Sequence, residues 1–223
     1  MNDAAINSAT KKDTLLKYYT YALYLSVFTI AYNLAEGIIS TIIGFSDESL
    51  TLFGFGVDSF IETVSGVGIL AMVIRISRNP ASSKSPFEIT ALKVTGWSFY
   101  VLAIGLILSA LFTLYSGRQP ESTFWGVVIS LISIVSMLGL IYYKKLVGKK
   151  LNSKAIIADA QCNVVCVYMS LTLLAASFLY QVFSLPYVDT IGALGLVYFS
   201  VQEGRECFEK AQTMSDTCGC GHD

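Results

Sequence analysis

The chain has 223 residues, 54% of them hydrophobic and only 14% charged, with 15 Lys and Arg against 16 Asp and Glu for a formal charge of −1. A mean hydropathy of +0.61 takes it out of the range of water-soluble globules and into that of membrane proteins. No phosphate loop, dinucleotide fingerprint or hydrolytic triad is present, so no enzyme activity is assigned, and nothing indicates a nucleic-acid partner.

Crossing the hydrocarbon layer as a helix takes ~20 apolar residues, and six such windows follow one another. Residues 1–17 are polar, with Asp3, Lys11, Lys12, Asp13 and Lys17. The apolar run after them is too long for a cleaved signal, so span one, at about 19–43, is read as permanent. It contains Asn33 and Glu36 in AYNLAEGIIS. Span two, at about 50–74, carries Asp58 and Glu62 in GVDSFIETVSG. Spans three and four fall at about 93–115 and 121–143, with YSGRQPES between them. Span five, at about 156–180, holds Asp159, Cys162 and Cys166 in KAIIADAQCNVVC. Span six, at about 187–208, opens with Asp189 as a cap or outer-mouth acid, and Glu203, Arg205, Glu206 and Glu209 read as its solvated end. No connection is long enough to fold alone. The expected architecture is therefore an all-α bundle of six transmembrane helices in one domain, 18–210, between a polar segment 1–17 and a tail 211–223.

Of the 15 Lys and Arg, Arg118 is the one that falls on the outer side when the amino terminus is placed inside. This asymmetry predicts both termini in the cytoplasm of a multi-pass protein of the plasma or inner membrane. The five Cys do not form a disulfide framework in such a protein: three sit in or beside spans, and the other two lie in a tail facing a reducing cytosol.

Acids within lipid are costly, and by default they serve ions, protons or substrate. Asp58 and Glu62 are four residues apart, a turn of ~40° and a rise of ~6 Å on a helix, so they share one face. Cys162 and Cys166 repeat that interval at a similar depth near the midplane. If spans two and five touch, these four side chains can surround one tetrahedral ion of the zinc or cadmium type, with sulfur disfavouring magnesium and calcium. Other readings stay open. The cysteines can be small apolar filler, and the acids can hydrogen-bond across the bundle to groups such as Asn33. The cysteine Cα atoms, ~6 Å apart on a helix, also permit a thiol oxidoreductase, although that leaves both acids without a role. A metal-binding membrane sensor that moves no ions is a further alternative.

The six spans, the acid pair in the second, AIIADAQCNVVC in the fifth and YVDTIGALGLVYFSVQEGRECFEKA in the sixth resemble the cation diffusion facilitators over roughly residues 18–210. That resemblance implies export of zinc or a similar divalent ion in exchange for protons. It also implies a transport site joining the pair in span two to a pair in span five, and a homodimer. Ala158-Asp159 sets the register that places the fifth-span ligands on Cys162 and Cys166, thiols where most members have a histidine and a carboxylate. The loop RNPASSK lacks the ligands of an auxiliary site, and the family's soluble carboxy-terminal domain does not follow span six, so the dimer is expected to form through the membrane part. Gly54, Gly66, Gly68, Gly192 and Gly195 allow close helix contacts within or between protomers.

Binding a divalent ion expels ligand protons, so metal and proton exchange follow from one site, and alternating access would carry the ion outward. Asn33 and Glu36 are candidates for a proton relay or for packing. Asp159 either gates the inner side or is an exposed acid at a helix start. In DTCGCGHD, Cys218, Cys220 and His222 can close on one soft ion, or form an idle end.

Overall fold

The computed structural model describes residues 2–78, 86–117, 123–183 and 187–216. Among these, six helices follow in order: α1 (Asn2–Ser46), α2 (Leu50–Arg78), α3 (Pro86–Ser116), α4 (Phe124–Lys150), α5 (Lys154–Phe183) and α6 (Val188–Asp216). Each predicted span overlaps one of them, spans four and six beginning before the first residues of α4 and α6. α1 runs back through the polar amino-terminal segment as well.

Five helices carry a stretch long and apolar enough to cross a membrane: Lys17–Ser46, Leu50–Arg75, Leu92–Ser116, Phe124–Lys150 and Asp159–Phe183. α6 does not, because Asp189, Glu203, Arg205 and Glu206 interrupt its apolar run. It is embedded all the same, packed along α3 and against α5 and α2, with Asp189, Ala193, Leu196, Ser200 and Glu203 buried. Protein, rather than lipid, covers those polar positions. Outward faces are apolar: Val101, Leu108 and Phe112 of α3 and Val135 and Leu138 of α4 are exposed, as suits side chains solvated by acyl chains.

α1, α2, α4 and α5 form a four-helix group, and the α3/α6 pair closes against it through α2 and α5. Small residues let the backbones approach. A Cβ on Gly56 would lie 2.5 Å from the Thr41 amide nitrogen of α1, and one on Gly192 would lie 2.5 Å from the Ala176 Cβ of α5. Gly54, Gly66 and Gly195 likewise meet Leu106, Ile30 and Thr172 of the same chain, so these glycines serve contacts within the protomer. Buried hydroxyls such as Ser26 and Thr29 bond back to carbonyls one turn earlier, which satisfies them within the helix, and Ser59 and Ser170 do the same while also reaching Glu36 and Ser133 on neighbouring helices.

Asp189 caps a neighbouring helix. Its carboxylate accepts from Ser49 Oγ and the Leu50 amide at 2.7 Å each, and from the Thr51 amide at 3.4 Å. It thereby satisfies the free N–H groups that open α2. Thr51 Oγ1 donates in turn to the Asp189 carbonyl. Asp189→Ala should lower stability by about 1–2 kcal/mol, seen as a lower Tm in detergent, with Asp189→Asn recovering part of the loss.

A tight turn joins α4 to α5. Asn152 adopts φ 50, and Ser153 Oγ accepts from the Ile156 amide at 3.4 Å, capping α5. The turn sets the two helices antiparallel, with Lys144 facing Asp159.

Candidate metal-ion site

The acid pair of α2 points into the bundle. Asp58 is 2% exposed, and its Oδ1 has no hydrogen-bond partner. One turn on, Glu62 is held from two sides: Asn33 Nδ2 of α1 donates to its Oε2 at 3.0 Å, and the Cys166 thiol of α5 donates to its Oε1. Three helices thus meet on one carboxylate. Cys166 packs among Met137 and Leu140 of α4, an apolar wall that keeps its sulfur directed at Glu62.

Cys162, one turn away on the same face of α5, has a different partner. Lys210 Nζ of α6 donates to its sulfur at 3.1 Å and to Glu206 Oε2 at 3.2 Å. Both thiols are free. Between α1, α2, α5 and α6 lies a cavity of about 160 Å³. Its lining includes Asn33, Glu62, Cys162, Cys166, Glu203 and Lys210. It runs from the Glu62–Cys166 contact toward the ends of α2 and α6 and the start of α5, the Lys- and Arg-rich side expected to face the cytoplasm. On the opposite side Leu52, Phe55, Leu106, Leu173 and Leu196 pack into a dry core. The cavity thus lies toward one end of the bundle and a packed apolar layer toward the other.

Among the described residues, no three His, Cys, Asp or Glu side chains converge closely enough to form a ready-made metal centre. Glu62 and Cys166 already touch, whereas Asp58 lies outside the cavity lining and Cys162 is engaged by Lys210. Binding an ion at all four would need Lys210 to release Cys162 and Asp58 to become accessible. A buried oxygen with no donor is a group with capacity to spare for a cation.

Other candidates take defined places. Asn33 bonds Glu62 directly. Glu36 accepts from Tyr32 Oη at 2.9 Å and Ser59 Oγ at 3.1 Å, tying α1 to α2 beside Asp58. Asp159 is no exposed helix-start acid. It pairs with Lys144 at 3.0 Å, the two side chains being 11% and 3% exposed, while Lys144 Nζ also donates to Asn163 Oδ1 at 3.1 Å. The expectation of a solvated end to span six needs correction at Glu203, which is 8% exposed, lines the cavity and has an unpartnered Oε1. Arg205 and Glu209 are exposed as expected, 3.9 Å apart. Cys218, Cys220, His222 and the RNPASSK segment after Arg78 lie outside the described residues.

Sequence reasoning passed over Glu203 because charged neighbours made it look like a helix end. The available signal was Cys207, four residues further on, at the interval of the other two pairs. Lys144 was counted only as a positive charge setting orientation. Its burial depends on the turn at Asn152, which brings Asp159 opposite.

A multi-pass α-helical membrane protein with a carboxylate and a thiol from two different helices in contact beside an internal cavity is the class these features define. The sequence model of the cation efflux transmembrane domain matches residues 24–213, and the chain belongs to that family. It is 27% identical over 174 residues to an uncharacterized transporter of Methanocaldococcus jannaschii, covering 75% of this chain and 60% of the relative. It is 30% identical over 122 residues to the manganese efflux system protein MneP of Bacillus subtilis, covering 52% and 40%. With Transmembrane protein 163 of Xenopus laevis the identity is 26% over 182 residues, covering 81% and 64%. The chain thus spans between 40% and 64% of the length of these relatives.

Proposed function

We propose that this protein is a secondary transporter that exports a divalent metal ion of the zinc and cadmium type from the cytoplasm in exchange for protons. The observation that carries the reading is the contact of Glu62 on α2 with Cys166 on α5, both of which line the internal cavity. Asp58, Glu62, Cys162 and Cys166 are the proposed ligands, with Asn33 orienting Glu62. Membership of the cation efflux family supports the transport of a metal cation.

The hydrogen bond between Cys166 and Glu62 contains a proton that metal must displace, since a sulfur bound to the ion no longer carries its hydrogen. Two carboxylates neutralise a divalent ion, and ionising both thiols as well would leave net charge in a poorly solvated place. Each ion bound therefore expels protons from ligands on α2 and α5. A rocking of helix groups that seals the inner cavity and opens the Leu52–Leu196 layer would expose the ion outside, where protons from the medium displace it. The direction follows from exchange: inward proton flow drives outward metal flow.

A second reading, manganese export, is favoured by two Bacillus subtilis relatives, both manganese efflux system proteins. Thiols argue against it, because manganese prefers oxygen ligands. Ion competition in proteoliposomes under a pH gradient separates the two: zinc and cadmium should displace each other and outcompete manganese. Cys162→Asp with Cys166→Asp should move the preference toward manganese by about tenfold or more. Uptake of manganese in preference to cadmium by the unaltered protein would overturn the assignment. Binding without passage would indicate a sensor instead.

A further inference from the structure

We propose that Glu203 and Cys207 of α6, joined by Cys162 of α5, form a second cation station on the mouth side of the same cavity, occupied by the divalent ion before it reaches Asp58 and Glu62. The proposal rests on the transport reading only in taking the ion to be a soft or borderline divalent cation.

Glu203 is nine-tenths buried, lines the cavity, and has an Oε1 with no hydrogen-bond partner. An acid so placed is costly unless a cation offsets it. Cys207, buried and also lining the cavity, is one turn further on the same face of α6. The pair repeats the four-residue interval of Asp58 with Glu62 and of Cys162 with Cys166. Glu203 and two thiolates, each thiol passing its proton to water in the cavity as its sulfur–metal bond forms, bring one negative charge more than the ion carries, and the adjacent Lys210 ammonium offsets that excess.

A cation already occupies the third corner. Lys210, three residues beyond Cys207 on the same helix, places its ammonium 3.1 Å from Cys162 Sγ. This tethered charge stands where the arriving ion would bind, and it has somewhere to go, because Glu206 Oε2 is 3.2 Å away. An incoming divalent ion replaces a single positive charge by two, and the displaced ammonium retires onto Glu206. Cys162 is then shared, since a shift of the ion inward along α5 exchanges Glu203 and Cys207 for Glu62 and Cys166. The stepping distance is one helical turn, ~5–6 Å.

The test uses cadmium and the ultraviolet absorption of cadmium bound to thiolate, read on purified full-length protein with Asp58→Asn and Glu62→Gln, so that the inner acids are silent. Cadmium–thiolate absorption should persist in that background. Adding Cys207→Ser or Glu203→Gln should weaken apparent cadmium affinity about tenfold or more. Lys210→Met, which removes the competing cation, should strengthen it by a similar factor. The gain cannot come from a misfolded protein. Unchanged affinity on Cys207→Ser and Glu203→Gln, or no gain on Lys210→Met, would overturn the station while leaving the transport reading intact. Undiminished metal flux in Asp58→Asn would instead overturn the transport reading and leave the cadmium result standing.

Discussion

Asp58→Asn should reduce metal flux into proteoliposomes by about 100-fold or more, while the metal-free protein keeps its fold and a Tm no lower than that of the unaltered chain. Both halves follow from the burial of Asp58 and the empty valence of its Oδ1. Among the described residues nothing donates to its Oδ1, so an amide there breaks no bond to that atom, and it removes a charge that lipid and apolar side chains solvate poorly. Metal is the group that needs it. Zinc or cadmium at 100 times its dissociation constant should stabilise the protein by about 2.7 kcal/mol, and, read in a Cys207→Ser, Glu203→Gln background so that the inner position alone is loaded, this rise in Tm should vanish on Asp58→Asn. A large fall in Tm without metal would mean that Asp58 is structural.

Lys144→Ala should have the opposite signature, a large loss of stability. Its ammonium is enclosed between Asp159 and Asn163, and removing it leaves the largely buried Asp159 carboxylate without its counter-charge, at a cost of about 3–5 kcal/mol. Lys144→Met with Asp159→Leu removes both charges and should regain most of that loss, because an apolar pair of similar volume avoids desolvation altogether. The check is a thermal unfolding series in one detergent. Asp159 also lines the cavity, so the doubly neutral protein, though stable, should load metal more slowly from the cytoplasmic side. Equal stability of Lys144→Ala and the unaltered chain would show that water reaches this pair.

The helices were readable because hydrophobic length alone marks a membrane span, and each of the six predicted windows overlaps one helix. Their ends were less so. α1 and α6 continue well past the apolar stretch, since a helix once begun propagates through polar residues such as Lys11 and Glu209 that lipid does not need to solvate. The acid pair and the thiol pair were visible through spacing, because residues four apart share a face in any helix. What spacing could not disclose was which residues on other helices complete the arrangement. That Asn33 reaches Glu62, that Lys210 engages Cys162 and that Lys144 turns inward to Asp159 depend on helix rotation, set by close contacts such as Gly56 on Thr41 and by the left-handed turn at Asn152. Glu203 shows the same limit: beside Arg205, Glu206 and Glu209 its composition is that of a solvated end, and only the packing of α6 against α3 and α5 hides it.

The most direct measurement is X-ray absorption at the zinc edge of the metal-loaded protein, taken in a Cys207→Ser, Glu203→Gln background so that only the inner position contributes. The account predicts a four-coordinate first shell shared between two elements, sulfur at ~2.3 Å and oxygen at ~2.0–2.2 Å, with the oxygen contribution reduced on Asp58→Asn. A shell of oxygen and nitrogen without sulfur, or of sulfur without oxygen, would contradict it, because α2 and α5 would then not be holding the same ion.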